Sequence, residues 1–387
     1  MEILFWSLTA AVVYPYVIYP AVVWVCSRLF GRHGRPPEPA SAEWPTVSIL
    51  VVGFNEEKLI RARIENALAT DYPNDKLQIV IASDGSTDGT VRIVEQYADR
   101  GVRCVAFGER RGKAAALRAA GEHLAGDVVV LSDANSFFRP GAVKAMARWF
   151  LDSKVGVVCG KLLLADKKRH ANCDGLYWRF ETMLKQAESR LGALLGTNGA
   201  IYAIRRELLD HLPVNTIVDD FELPLIAKMR TSCDLLFESA ALADEETPAK
   251  ISTEFRRRSR IGVGVFQSLE RLYPLLNPFG GWIAFTFISH KLFRWIGPFL
   301  LLGLVATNLT LLDQPVYRSL MLLQSAFYMF ALVGLTMPLK AWPRVARLPA
   351  LFVTVNAALL VGFCKWLAGQ NSAIWQPTQR TEAVPTI

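Results

Sequence analysis

Along the first half of this chain, hydrophobic and polar positions switch between two periods. Val47–Val52 is an apolar, β-branched run of the kind that fills a strand buried on both faces, and Glu57–Ala69 then shows helical spacing. The pairing recurs as strand Leu77–Ala82 with helix Gly89–Arg100, strand Val102–Phe107 with helix Lys113–Leu124, and strand Asp127–Leu131. Strands alternating with helices predict an α/β fold with a parallel, Rossmann-like sheet covered by helices on both faces. Ligands of such sheets bind beyond the carboxyl ends of the strands, so the residues after each strand are the ones to read for chemistry.

Elsewhere the pattern is continuous rather than periodic. Ile3–Cys26, Trp295–Leu312, Ser319–Leu339 and Leu348–Cys364 lack charged residues, and each approaches the roughly 20 apolar residues that cross a bilayer. The first reads as an uncleaved anchor: no basic residue precedes it, it is long, and Arg28, Arg32 and Arg35 follow it. The chain is 52% hydrophobic, and Lys and Arg outnumber Asp and Glu by 43 to 35. Much of the positive charge flanks the apolar stretches, at Arg28–Arg35, Arg256–Arg260, Lys291, Arg294, Lys340, Arg344 and Arg347. That placement predicts membrane lipids as a partner and no nucleic acid, and it puts the globular part in the cytoplasm. The six cysteines, 26, 104, 159, 173, 233 and 364, show neither metal-ligand nor redox spacing and are expected as reduced thiols.

The strand ends carry polar groups in series. Phe54 and Glu56 follow the first strand, where an aromatic ring could stack on a base; a helix N-terminus explains the glutamates equally well. Asp84 ends the second strand, placed either to bind a nucleoside or to make an Asp-Gly turn. Arg110, Arg111, Gly112 and Lys113 precede a helix, as a phosphate site requires or as a solvated basic loop allows. Asp133 and Asn135 follow the fourth strand, two oxygens that could face Mg²⁺. Asp219 and Asp220 offer a carboxylate for general-base work. Asp219 and Glu222 also read as a capping box for a helix through Met229.

Taken in order, Phe54–Glu57, Ser83–Asp88, Arg111–Lys113, Ser132–Asn135, Gly196–Ala200 and Asp219–Asp220 resemble the motif series of processive-type family 2 glycosyltransferases. That group includes the cellulose, hyaluronan and poly-N-acetylglucosamine synthases. The resemblance covers about residues 45–300. It implies a GT-A fold, a nucleotide-diphosphate sugar donor (UDP-linked), a divalent metal (Mg²⁺ or Mn²⁺) and inversion at the anomeric carbon. Phe54, Glu56, Asp84, Lys113 and Asp133 fall on donor-binding positions, Asp133 and Asn135 on the metal motif, and Asp220 on the catalytic base. Asn198, Gly199, Asp219, Arg257, Arg258 and Arg260 fall on the acceptor side. Two positions depart from the pattern: Asn135 stands where the motif ends in Asp, and Ile261 stands where processive enzymes carry a stacking tryptophan.

The resulting expectation is an integral protein of the bacterial inner membrane. It has an N-terminal transmembrane anchor (1–27), a linker (28–44), a GT-A domain (45–250), interfacial amphipathic helices (251–294), about three transmembrane helices (295–367) and a tail (368–387). Ile261, Val265, Leu269 and Leu272 recur at helical spacing and predict a helix lying apolar face down in the headgroup plane, with His290 as a polar interfacial residue. Trp375–Arg380 resembles a tail segment of some relatives that is expected near the cytoplasmic face. The expected activity is sugar transfer to a saccharide acceptor in polysaccharide synthesis, alone or with export or synthase-complex partners. The alternatives are a lipid-linked acceptor such as a polyprenyl phosphate, and a silent nucleotide-sugar-binding scaffold.

Overall fold

The structure is a computed structural model that describes residues 1–32, 34, 38–40, 43–165, 175–246, 251–336, 348–370, 372 and 374. Two helices come first, α1 (Glu2–Val13) and α2 (Ile18–Leu29). The alternating region contains β1 (Val47–Gly53), α3 (Ile60–Leu68), β2 (Leu77–Asp84), α4 (Thr90–Glu95), β3 (Val102–Phe107), α5 (Lys113–Ala120) and β4 (Val128–Asp133). It continues with β5 (Ser136–Phe138), α6 (Ala142–Ala147), β6 (Val155–Ala165), α7 (Gly175–Arg190), β7 (Tyr202–Arg205), α8 (Asp219–Thr231), β8 (Asp234–Glu246) and α9 (Ile251–Arg271). After these come α10 (Gly281–Thr286), a π-helical segment Phe287–Leu292, α11 (Phe293–Trp295), α12 (Gly297–Leu309), α13 (Pro315–Thr336) and α14 (Leu348–Leu367). The Trp375–Arg380 segment lies outside the described residues.

The strands form one sheet in the order β3-β2-β1-β4-β7-β6-β8-β5. β1, β2, β3 and β4 run parallel as the alternation predicts, while β7 is antiparallel to both β4 and β6. The β-strand period of two explains the two-sided core. Leu50 and Val52 of β1 face Ala114 and Leu117 of α5 together with Leu223 of α8. Val47, Ile49 and Val51 face Ile60 and Ile64 of α3 and Val143 and Met146 of α6. All seven residues of β1 are buried, so the Gly53 end is fixed in place. With β1, β2 and β4 in register, the tips at Gly53, Asp84 and Asp133 emerge at one edge of the sheet.

Two described helices are long and apolar enough to cross a membrane, over Pro315–Val333 and Leu348–Leu367. The other two apolar stretches are helix pairs. α1 and α2 meet at a 52° bend, and Gly281–Trp295 meets α12 at 58°. Proline supplies the physical reason in both places: Pro15 disfavours helix for the residue before it, and Pro298 starts α12 rather than continuing α11.

The amphipathic reading of α9 is corrected. Val265 and Leu272 are buried in the core beneath the sheet and Ile261 and Leu269 pack against it, so the apolar stripe faces the sheet domain. Across its other side α9 meets α14 at a glycine pair. A Cβ on Gly362 would lie 2.7 Å from Gly262 Cα and 2.8 Å from the Ser259 carbonyl oxygen. His290 is also reassigned, from the interface to the interior. It is buried in the π-helical segment with Nδ1 2.5 Å from Glu188, which also accepts from the Tyr19 hydroxyl of α2 at 2.7 Å.

Candidate active site

At the β1 tip the backbone turns through Asn55, whose φ of 55° is left-handed, a region asparagine tolerates better than most side chains. Its N–H donates to Ser86 and its side-chain oxygen accepts from the Thr87 N–H at 2.8 Å, which stitches the β1 tip to the β2 tip. Glu56 donates its N–H to the Thr90 hydroxyl at 2.9 Å. One face of the Phe54 ring carries the Arg110 guanidinium, 3.7 Å from the ring centroid. Gly85 is the residue that lets the basic loop come so close: its φ is +71°, and a Cβ there would sit 2.7 Å from the Arg110 nitrogen.

Asp84 is wholly buried, and its two oxygens accept from the N–H groups of Arg111 at 2.7 Å and Gly112 at 3.0 Å. The carboxylate expected to touch a nucleoside therefore holds the loop that launches Lys113.

Lys113 is the first residue of α5, and its ammonium sits among carboxylates. Asp133 Oδ1 is 2.9 Å away and Asp219 Oδ2 is 3.4 Å away. Burial alone would lower the lysine; Asp133, Asp219 and Asp220 together outweigh it and raise it well above its ordinary value. Asp219 is 5% exposed. Burial pushes its carboxyl up, Lys113 opposes, and Asp220 and Asp133 add to the rise. Asn135 is buried too, with its amide donating to Glu245 at 2.7 Å, so only its oxygen remains for a ligand. Among the described residues no three His, Cys, Asp or Glu side chains stand as a ready metal cluster.

Asp220 is held from the 196–199 segment. Its carbonyl accepts from the Thr197 N–H and hydroxyl, both at 2.8 Å, and its Oδ2 accepts from the Gly199 N–H at 3.1 Å. Gly196 makes this approach possible, with φ +80° and Phe221 where a Cβ would go. Asn198 donates to the Gly160 carbonyl and accepts from Lys185 at 2.6 Å. Arg257, Arg258 and Arg260 lie along α9, Arg257 exposed and the other two half-buried. Burial lowers Arg260 against the pull of Asp219, Asp220 and Asp133, which puts its charge within electrostatic reach of theirs. Lys113, Asp133 and Asp219 are in direct contact, with Asp220 and Arg260 within electrostatic reach of them. Gly199 adjoins Asp220, while Phe54, Glu56 and Asp84 lie at the neighbouring strand tips.

Glu222 does not complete a capping box with Asp219: α8 has no side-chain cap, and Glu222 turns inward. It accepts from Ser268 at 2.7 Å and Arg271 at 2.5 Å, both on α9, and from Thr216 at 3.2 Å. Sequence spacing pointed to a local partner, and the partner proved to be 46 residues away. Ser268 and Arg271, two polar residues beside the apolar stripe of α9, were the available signal. Two other residues gave no such signal. Lys185 supports Asn198 from the middle of α7. Tyr202 of β7 is fully buried, has no hydrogen-bond partner for its hydroxyl among the described residues, and lies within electrostatic reach of Asp133, Asp219 and Asp220.

Residues 48–212 match the family described as Glycosyl transferase family 2. The chain is 26% identical over 232 residues to the probable glycosyltransferase YdaM of Bacillus subtilis (strain 168), covering 56% of this chain and 54% of that protein. It is 24% identical over 338 residues to an N-acetylglucosaminyltransferase of Rhizobium sp. (strain N33), covering 83% and 71%. In the first of these alignments the chain therefore spans only about half of its relative. Its fold is shared with the mannosyltransferase PcManGT from Pyrobaculum calidifontis, solved in complex with GDP-Man and Mn²⁺. That likeness has a TM-score of 0.72 at 23% identity and covers 95% of this chain and 99% of that one. Mostly parallel at its centre, with polar motifs on successive strand tips, the chain carries a region, residues 48–212, that matches glycosyl transferase family 2, and it has the GT-A fold.

Proposed function

We propose that this protein transfers a glycosyl group from a nucleotide-diphosphate sugar to an acceptor hydroxyl at a membrane surface, inverting the anomeric carbon, with Asp220 as general base. The observation that carries the reading is the seat of Asp220. Its carboxylate is half-buried and oriented by Gly199, and it lies within electrostatic reach of Lys113 and Asp219. A base on one side and a charge-handling site on the other is the arrangement an in-line displacement needs.

Phe54, Glu56 and the loop fixed by Asp84 receive the nucleoside, and Lys113 and Arg260 meet the negative charge of the diphosphate. Asp220 takes the proton of the acceptor hydroxyl while that oxygen bonds to the anomeric carbon and the bond from that carbon to the diphosphate breaks. Asp133, Asp219 and the Asn135 oxygen suit a divalent cation. Asp219 Oδ2 is buried with no hydrogen bond from the described residues, and its ion-pair contact among them is Lys113. A Mg²⁺ or Mn²⁺ bound there supplies Lewis-acid neutralisation of the departing diphosphate. PcManGT was solved with GDP-Man and Mn²⁺, which supports the same donor class and metal here.

The acceptor we propose is a single saccharide or a lipid-linked one, such as a polyprenyl phosphate. Ile261 packs with Trp366 and Phe221 against Ile217, Val218 and Val263, so the position of a sugar-stacking tryptophan is filled by core. The apolar helices α13 and α14 support a membrane location with the catalytic domain cytoplasmic beside Arg28 and Arg32. Asp220→Asn tests the assignment. Nucleoside diphosphate binding stays near wild type while transfer falls about 10²–10⁴-fold; turnover equal to wild type removes Asp220 as the base.

A further inference from the structure

Two carboxylates and one ammonium share the place that the proposed mechanism gives to a metal. Lys113 Nζ lies 2.9 Å from Asp133 Oδ1 and 3.4 Å from Asp219 Oδ2, between the tip of β4 and the first turn of α8. A quarter of the lysine side chain is exposed, against 35% of Asp133 and 8% of Asp219, so solvent reaches the stem and the Asp133 side of the pair while Asp219 stays covered. The backbone of Lys113 cannot move with it. Gly112 is fixed at φ 92° with its N–H on buried Asp84, and Lys113 begins α5 directly afterwards. The four-carbon stem is therefore the free part, a compact charge on a flexible arm.

We propose that Lys113 is a resident counter-ion for Asp133 and Asp219 that moves onto the donor diphosphate as the divalent cation takes its place. Metal and nucleotide then bind together and not in succession. This rests on the proposed reading of the site as one for a metal and a nucleotide-diphosphate sugar.

Charge balance carries the inference. Asp133, Asp219 and Asp220 supply three negative charges, and Asn135, standing where the family motif has an aspartate, supplies none. Lys113, in contact with two of them, and Arg260, within electrostatic reach of all three, leave one negative charge. A divalent ion would then make the pocket net positive, with two cations in contact. A diphosphate arriving with the metal reverses the sign and offers the ammonium new oxygen acceptors within the sweep of its stem. An aspartate at position 135 would have made the pocket anionic enough for a metal alone. The departure at Asn135 and the position of Lys113 are then two parts of one device.

The test is Mn²⁺ binding to the detergent-purified full-length protein, followed by electron paramagnetic resonance with and without UDP or GDP. In the wild type, Mn²⁺ alone binds weakly, and the nucleoside diphosphate tightens it on the order of a hundredfold. In Lys113→Met, which removes the charge and keeps the length, Mn²⁺ alone binds about tenfold tighter than in the wild type and gains less from nucleotide. If nucleotide tightens Mn²⁺ in the wild type but Lys113→Met binds Mn²⁺ alone no better, the counter-ion role is overturned and the metal site stands. If no sample binds Mn²⁺ even with nucleotide, the metal reading itself fails and takes the inference with it. Where Lys113→Met gives no cooperative melt, Lys113→Arg decides. Its guanidinium grips both carboxylates harder, so Mn²⁺ alone binds more weakly than in the wild type, and equal or tighter binding overturns the role.

Discussion

Glu222→Ala is the perturbation from which the joint between the acid motif and α9 can be measured. The wild-type carboxylate has no exposed surface and accepts from Ser268, Arg271 and Thr216. Removing it leaves the Arg271 guanidinium, a quarter exposed, with Thr216 and Asn215 as its remaining partners. Breaking a buried pair by deleting one partner costs about 3–5 kcal/mol, because the other charge is left uncompensated. A domain of this size shifts its melting temperature by about 2–4 °C per kcal/mol, so the product is a fall of about 6–20 °C. Glu222→Gln keeps the shape and the Ser268 contact and should lose roughly half as much. The assay is thermal melting of detergent-solubilised protein, paired with titration of UDP or GDP. The strand-tip residues Phe54, Glu56 and Asp84 do not touch Glu222, so nucleotide affinity at 20 °C should change little while transfer drops with the loosened Arg257–Arg260 segment. A melting temperature within 2 °C of wild type for the alanine variant would refute the claim that α9 is latched to the catalytic unit through this residue.

Two further predictions concern the junction with the apolar helices. Gly362→Ala forces a methyl group to within 2.7 Å of the α9 backbone at Gly262. Since neither helix backbone gives way cheaply, the melting temperature should drop by the equivalent of about 1–3 kcal/mol, whereas an unchanged melt would mean that α9 and α14 do not cross there. Glu188 supplies a pH signature: burial, stronger than the opposing Lys291 and Tyr19, pushes its carboxyl from 4.5 up to about 7. A folded value above the unfolded one stabilises fully below pH 4.5, and that stabilisation is lost as pH rises through about 7. The Glu188 carboxyl therefore favours the fold more at pH 5 than at pH 8, and Glu188→Gln should raise the melting temperature at pH 8 relative to that at pH 5 when compared with the wild type. A slope unaltered in the variant refutes the assignment. Its neighbour Glu181 does not interfere in that window. Burial would raise it, but His290, Arg294 and Lys291 outweigh burial and hold it at about 2.

The sheet was legible in the sequence because its determinants are local. Val47–Val52, Leu77–Ala82 and Val102–Phe107 carry their period in the residues themselves, and the strand-tip rule then points to Asp84 and Asp133 before any contact is known. What could not be read is what each tip residue touches. Nothing in the residues around Asp84 tells that it meets two backbone amides, and only the fold, through the approach that Gly85 permits, shows them. The stripe on α9 shows the same limit. Periodicity establishes that Ile261, Val265, Leu269 and Leu272 share a face, but a lipid surface and a protein core impose the same pattern. Here the other face of α9 settles which it is. Gly262 brings α14 within backbone distance on that side, so the stripe must turn toward the sheet. The apolar helix α14 and the acid motif of α8 are then joined through one intervening helix, by glycine contact on one side and Glu222 on the other. Arg260 rides on that helix between them, within electrostatic reach of Asp219 and Asp220.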